Sequence, residues 1–282
     1  MLYFPCPNKK LLLKIWLFLL CTIIYSIKSH STENYTAGAR SLALSNACIS
    51  LSGTWATFHN QSGLAGLTAI SAGFYYESKF SIDKLSLVAG SAIIPVRTGV
   101  FGLSFLQFGK GTFSENKFGL AFARRLGEKL SAGIQFDYFT QTFPENRHTK
   151  GFATFEGGVI YQPLEKIFLG AHIFNPLSEG FEFPSGKQKM PVIIRAGGHY
   201  LIDKNVIITF ETEKNNLHPA ILKTGIEFLP FDDLAIRFGA SGKPFKYTAG
   251  IGYQMNSIST DIGFSYHGNL GVTPSISVRF QL

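Results

Sequence analysis

The residues best equipped for chemistry are Arg125, Gln135, Asp137, Glu156, Arg195, His199, Glu211, Glu213, Arg237, Lys246, Asp261, His267 and Arg279. Acids and bases are mixed, yet no familiar catalytic spacing joins them. The histidines include no H-E-x-x-H and no other metal-ligand spacing. Residues 180–187 end in P-S-G-K, but five residues separate the two glycines and Gln188 follows the lysine, so this is not a phosphate loop. No G-x-S-x-G elbow is present. What the charged residues share is placement: each falls on the polar side of an alternating run. Charges of both signs on one side of many strands suit a salt-bridged, water-facing wall better than acid–base catalysis. The expectation is a non-enzyme with no cofactor and no metal.

The positioning elements are the strands themselves. Leu130, Ala132, Ile134, Phe136 and Tyr138 alternate with Lys129, Ser131, Gly133, Gln135 and Asp137. Phe245, Tyr247, Ala249, Ile251 and Tyr253 alternate with Lys246, Thr248, Gly250, Gly252 and Gln254. A period of two over such lengths argues for strands. Runs of this kind start near residues 69, 84, 98, 117, 129, 152, 166, 191, 205, 220, 233, 245, 258 and 273. Each strand with its turn takes about 15 residues, which accommodates the roughly 9 to 11 residues of a membrane-crossing strand. Connections near residues 95–96, 126–127, 163–164, 203–204 and 231–232 are short. Those at 108–116, 142–151 and 176–190 are longer, an alternation typical of membrane barrels that fades toward the C-terminus. In the last strand Ile276, Val278, Phe280 and Leu282 face one way, opposite Ser275, Ser277, Arg279 and Gln281. The first set is expected to face lipid and to direct membrane insertion by the barrel-assembly machinery.

Composition agrees. Only 16% of the 282 residues are charged, against about 25% in soluble domains. Lys9 and Lys10 precede an apolar run ending near Ile27, so residues 1–31 read as a signal peptide. Without them 22 basic residues stand against 18 acidic ones, a net +4, too mild to suggest nucleic acid. Cys48 would then be the only cysteine, which excludes an intrachain disulfide. Residues 32–67 lack a sustained period of two and read as a compact segment outside the sheet, with one short helix within 38–50.

G-A-R-S-L-A-L-S-N-A at 38–47, followed by T-F-H-N-Q-S-G-L-A at 57–65, resembles the start of FadL-like outer-membrane proteins, with the PorV/PorQ branch of Bacteroidetes-type bacteria most similar. Asn60, Gly63 and Leu64 match that family's Asn-Pro-Ala-Gly-Leu turn, while Gln61 and Ser62 replace its Pro and Ala. Residues 122–134 resemble its strand-turn-strand. The resemblance implies an all-β, antiparallel transmembrane barrel of about fourteen strands with a short N-terminal plug or hatch. The expected division is signal peptide 1–31, plug 32–67 and barrel 68–282, in the outer membrane of a Gram-negative bacterium.

The lumen-facing candidates are Arg125, Asp137, Glu156, Arg195, Glu211, Arg237 and Asp261. The resemblance implies an accessory of protein secretion or surface attachment of type IX kind, with secreted proteins or secretion components as partners beside outer-membrane lipid. The alternative is a FadL-like diffusion channel for small hydrophobic molecules, against which so many lumen charges count unless the hatch shields them. Residues 174–191, carrying Phe181 and Phe183, are expected to fold over the barrel mouth.

Overall fold

A computed structural model describes residues 34–111, 113–142, 149–183, 186–242 and 244–282. The expected signal peptide, the first residues of the plug and most of the loop at 142–151 lie outside the described residues.

Among the described residues sixteen strands follow one another. The first seven are β1 (Ser71–Ser78), β2 (Ser86–Val96), β3 (Gly99–Phe108), β4 (Ser114–Arg125), β5 (Leu130–Thr142), β6 (Thr149–Leu164) and β7 (Ile167–Phe174). A small hairpin, β8 (Gly180–Phe183) and β9 (Gly186–Lys189), comes next. The chain returns to the wall with β10 (Ile193–Leu201), β11 (Val206–Asn215), β12 (Ile221–Phe231), β13 (Leu234–Ser241), β14 (Lys246–Met255), β15 (Ile258–His267) and β16 (Gly271–Gln281). All but β8 and β9 form one closed antiparallel barrel of fourteen strands. The observed starts lie within three residues of those read from the alternation.

Closure is made by β1 and β16, with Ser71 opposite Gln281, Gly73 opposite Arg279 and Tyr76 opposite Ile276. It leaves no free sheet edge, the condition for placing strands in hydrocarbon. Phe74, Leu120, Ile134, Phe136, Phe210, Ile251 and Ile276 point outward and are exposed, forming an apolar outer band. Tyr76, Tyr138, Tyr247 and Tyr266 lie toward one rim, Tyr161, Tyr200 and Tyr253 toward the other. An apolar band flanked by amphipathic aromatics is how such barrels meet lipid at both interfaces. The molecule is a transmembrane β-barrel.

The two ends differ. At the turn end the connections are tight: 97–98, 126–129, 165–166, 202–205, 232–233 and 256–257. The loop end carries 79–85, 109–113 and the long connection 175–192 that holds β8 and β9. Short turns mark the periplasmic side of such barrels.

Candidate functional site: the filled lumen

The lumen is occupied by the chain's own residues 34–67. Gly38, at φ 106°, begins the short helix α1 (Ala39–Ala43). A Cβ there would lie 2.8 Å from Trp55 Cγ, so both backbone and packing require glycine. Two 3-10 turns follow, Thr54–Phe58 and Gln61–Leu64. Asn60 caps the second, its Oδ1 accepting from Ser62 N at 3.2 Å and Ser62 Oγ at 2.7 Å. Its Nδ2 donates to the carbonyls of Ile49 (2.8 Å) and Val159 (3.2 Å), tying the turn to the wall. Ser62, which stands where the resembled family has Ala, thus adds its hydroxyl to the cap. Gly63 is pressed against Leu51 O, and Leu64 is buried beside Ile93, Val100 and Ala121.

The wall makes room for this segment by omitting side chains. A Cβ on Gly250 would come within 2.6 Å of Ala43 Cβ, on Gly239 within 2.7 Å of Ser45 N, and on Gly170 within 2.6 Å of Ile49 O. On Gly158 it would lie 2.5 Å from Asn60 Oδ1, on Gly133 2.5 Å from Ser62 N, and on Gly102 2.9 Å from Leu64 Cδ1. These glycines sit on β14, β13, β7, β6, β5 and β3 in turn. Residues 43–64 therefore run round the inside of the barrel against a girdle of bare backbone. Trp55 turns aside to reach Gly73 of β1, and Thr57 Oγ1 meets Ser91 Oγ of β2 at 3.0 Å.

The charged residues form three groups at the wall. In the first, Lys117 Nζ lies 2.7 Å from Glu156 and 3.4 Å from Asp137. Gln135 Nε2 donates to both carboxylates at 2.8 Å, and His172 Nε2 stands 3.2 Å from Glu156. Lys117 also donates to Asn34 Oδ1 at 3.3 Å. In the second, Lys223 pairs with Glu211 (3.1 Å) and Glu213 (2.8 Å), and Arg195 with Glu213 (3.0 Å). Glu211 Oε2 accepts the backbone amides of Cys48 and Ile49, both at 3.0 Å. In the third, Arg237 bridges Glu227 (2.5 Å) and Asp261 (2.7 Å), and Arg40 of α1 reaches Glu227 through two bonds of 2.6 and 2.8 Å. Each group thus offers at least one bond to the segment. Within the three groups each charged side chain has a partner of opposite sign. Buried ions cost several kcal/mol each unless paired and hydrogen-bonded, so this pairing is what permits them here.

Of the sequence-derived candidates, Asp137 and Glu156 meet in the first group, Arg195 and Glu211 border the second, and Arg237 and Asp261 meet in the third. Arg125 stays apart at the exposed turn end of β4, with its guanidinium toward Gly66. His199 accepts or donates at Nδ1 with Ser50 Oγ (2.8 Å) and stacks on Phe168. Lys117, His172, Lys223 and Arg40 were not singled out from sequence. The first three lie on the same strand parity as the lumen candidates, and that parity would have found them. Arg40 and Glu227 are separated by 187 positions, which no local pattern reveals.

His59 is buried in the segment with Nε2 2.9 Å from Ala37 O. Burial, and then the Arg195 guanidinium, depress its pKa to about 3, so the ring is neutral. Burial and then Glu211 push the Cys48 thiol up to about 12, which leaves it unreactive.

At the loop end, Phe181 and Met190 of the connection after β7 fold inward, as expected from its aromatic residues. Phe181 and Met190 are fully buried against Phe139, Phe152, Phe174 and Ile193 of the wall. Phe139 stacks on Phe152 at 5.0 Å, and Phe181 meets Phe152 edge-on at 4.8 Å. Asn175 pins the base of the connection, accepting from Thr154 Oγ1 (2.8 Å) and donating to Glu179 O and Met190 O. Beneath this cap, Lys117 Nζ lies 5.6 Å from the Phe139 ring and 5.3 Å from that of Phe174. A second apolar group, with Tyr35, Trp55, Phe58, Leu87 and Leu106, joins the segment to β1–β3.

No protein-family model matches the chain, and no curated protein matches it. Solved structures do. The TodX deltaS2S3 mutant monoaromatic hydrocarbon channel superposes with a TM-score of 0.68 at 10% identity, over 87% of this chain and 98% of that one. The toluene transporter TbuX of Ralstonia pickettii gives 0.66 at 11% identity, over 88% and 98%. A Pseudomonas aeruginosa FadL homologue gives 0.64 at 10%, over 87% and 98%. The fold of this chain is that of FadL-like outer-membrane barrels.

Proposed function

We propose that this protein is an outer-membrane diffusion channel for small hydrophobic molecules, seen here closed. The observation that carries the reading is the loop-end mouth. Phe139, Phe152, Phe174 and Ile193 make an apolar basin at the loop end of the lumen, covered by Phe181 and Met190 of the same chain. An apolar solute gains about 25 cal/mol per Å² of surface it removes from water there. Beyond the basin, the paired charges and the docked segment form the barrier that must shift for passage. The fold likeness to a hydrocarbon channel and a toluene transporter supports this reading.

The secretion-accessory role, with secreted proteins as partners, rests on the sequence resemblance alone, and none of the three structures named above carries it. The channel therefore replaces it as the leading function. Proteoliposomes holding the mature chain should take up toluene faster than empty vesicles, while glucose uptake stays at background. Equal passage of both solutes would indicate a general pore. Uptake of neither, by wild type and by a variant lacking residues 175–190, would rule out the channel.

A further inference from the structure

We infer that the turn end of the lumen holds a binding site for a small organic monocarboxylate. A cavity of about 220 Å³ lies there between the segment and β12–β16. Three guanidiniums line it: Arg40 from the segment, Arg237 from β13 and Arg279 from β16. Arg40 and Arg237 are held by Glu227 and Asp261. Arg279 has no ion pair and no side-chain hydrogen bond among the described residues. Its directly opposed sheet neighbours, Gly73 on β1 and Ser259 on β15, are not acids, and Asp261, two positions along β15, is paired with Arg237. A cation without a counter-ion in a recess walled by protein is a ready partner for a carboxylate, which a guanidinium holds through two parallel bonds.

The rest of the lining sets the size and charge of the ligand. Leu51, Trp55 and Ala56 of the segment, with Leu229 and Ala235 of the wall, offer apolar surface to the cavity. An apolar cavity of about 150 Å³ holds benzene, so this one accommodates a ring with its carboxylate. Asp232 and Asp233, exposed at the turn, stand at the solvent side of the cavity. Two acids there repel dianions more than monoanions, which selects against phosphate and dicarboxylates. Because Arg40 belongs to the segment and Arg279 to the wall, occupancy and seating of the segment influence each other reciprocally. The site is distinct from the apolar basin at the loop end and does not depend on it.

The test is titration calorimetry of the mature chain in micelles with sodium benzoate and with neutral benzamide. Benzoate should bind once per chain, and benzamide roughly tenfold more weakly or worse, the loss of a charge-assisted pair. Arg279→Gln should abolish the difference between the two ligands, and Arg279→Lys should keep part of it. Heat-modifiable gel migration shows that each variant is folded. Equal binding of benzoate and benzamide, absence of benzoate binding, or unchanged benzoate binding by Arg279→Gln would each overturn the site. Toluene uptake by the wild type tests the channel separately, so either reading can fail alone.

Discussion

Glu211 shows how one side chain couples wall to segment. Its Oε2 takes two backbone amides, Cys48 and Ile49, while Oε1 takes Lys223. Hydrogen bonds to a charged acceptor contribute about 1.5–3 kcal/mol each, so Glu211→Ala should lower exchange protection at Cys48 and Ile49 by roughly tenfold to hundredfold. Hydrogen-exchange mass spectrometry of residues 44–52 checks this, and unchanged protection would contradict it. His59 makes docking sensitive to acid. Docked, it stays neutral down to about pH 3. Released into water it takes a proton near its ordinary pKa of about 6.5. The released form binds more protons, so its contribution to docking is fully present above about pH 6.5 and falls away toward pH 3. Exchange at residues 56–62, corrected for intrinsic rates, should rise more between about pH 7 and pH 4.5 in wild type than in His59→Gln. At this scale the alternation places residues on the lumen face but not their partners. Glu227 and Arg237, on the two strands of the β12–β13 hairpin, are neighbours by register; Arg40, which joins them, comes from a stretch with no period to read.

Strands were legible because each has one side in lipid and one in the lumen, which forces period two over its whole length. β8 and β9 were not, since four-residue strands give too few alternations to stand out from the loop. The course of residues 34–67 was also hidden. Its only sequence trace is the opposite wall: glycines on lumen parity at one level of many strands, each explicable alone and meaningful only once the segment is seen against them. Replacing one should therefore act on the segment rather than on the strand. Gly158→Val puts two methyls where Asn60 sits, and overpacking of this kind costs about 1–3 kcal/mol. The expected outcome is a barrel of unchanged gel mobility whose residues 40–66 are cut faster by protease. Protection equal to wild type would show that the segment does not need the bare backbone. The cap obeys a different rule. Phe181→Ala empties a site among Phe139, Phe152 and Phe174, and such truncations cost about 3–5 kcal/mol when fully buried. Toluene uptake should rise as the hairpin loosens; a fall would mean that the hairpin aids passage.

The whole molecule depends on a single seam. Of the closing pairs between β1 and β16, those of Ser71, Ala72 and Gly73 use residues 279–281. Deleting residues 279–282 removes them together with outward-facing Phe280 and Leu282, which are proposed to be read by the assembly machinery. The variant should fail to reach the membrane in heat-modifiable form, and normal assembly would refute the role of this strand in insertion. The seam also bears on the order of events in folding. Ala39 N donates to Ser277 Oγ across 238 positions, and the segment bearing it lies inside the ring that β1 and β16 complete. Once that ring is shut, the segment has only the two crowded ends by which to enter, one roofed by aromatics and the other rimmed by tight turns. The girdle therefore behaves as a mould set around a cast already in place: the segment is seated first or not at all. Pulse-labelling should find residues 39–64 protected no later than the β1–β16 amides, and the reverse order would show that the barrel can be threaded after closing.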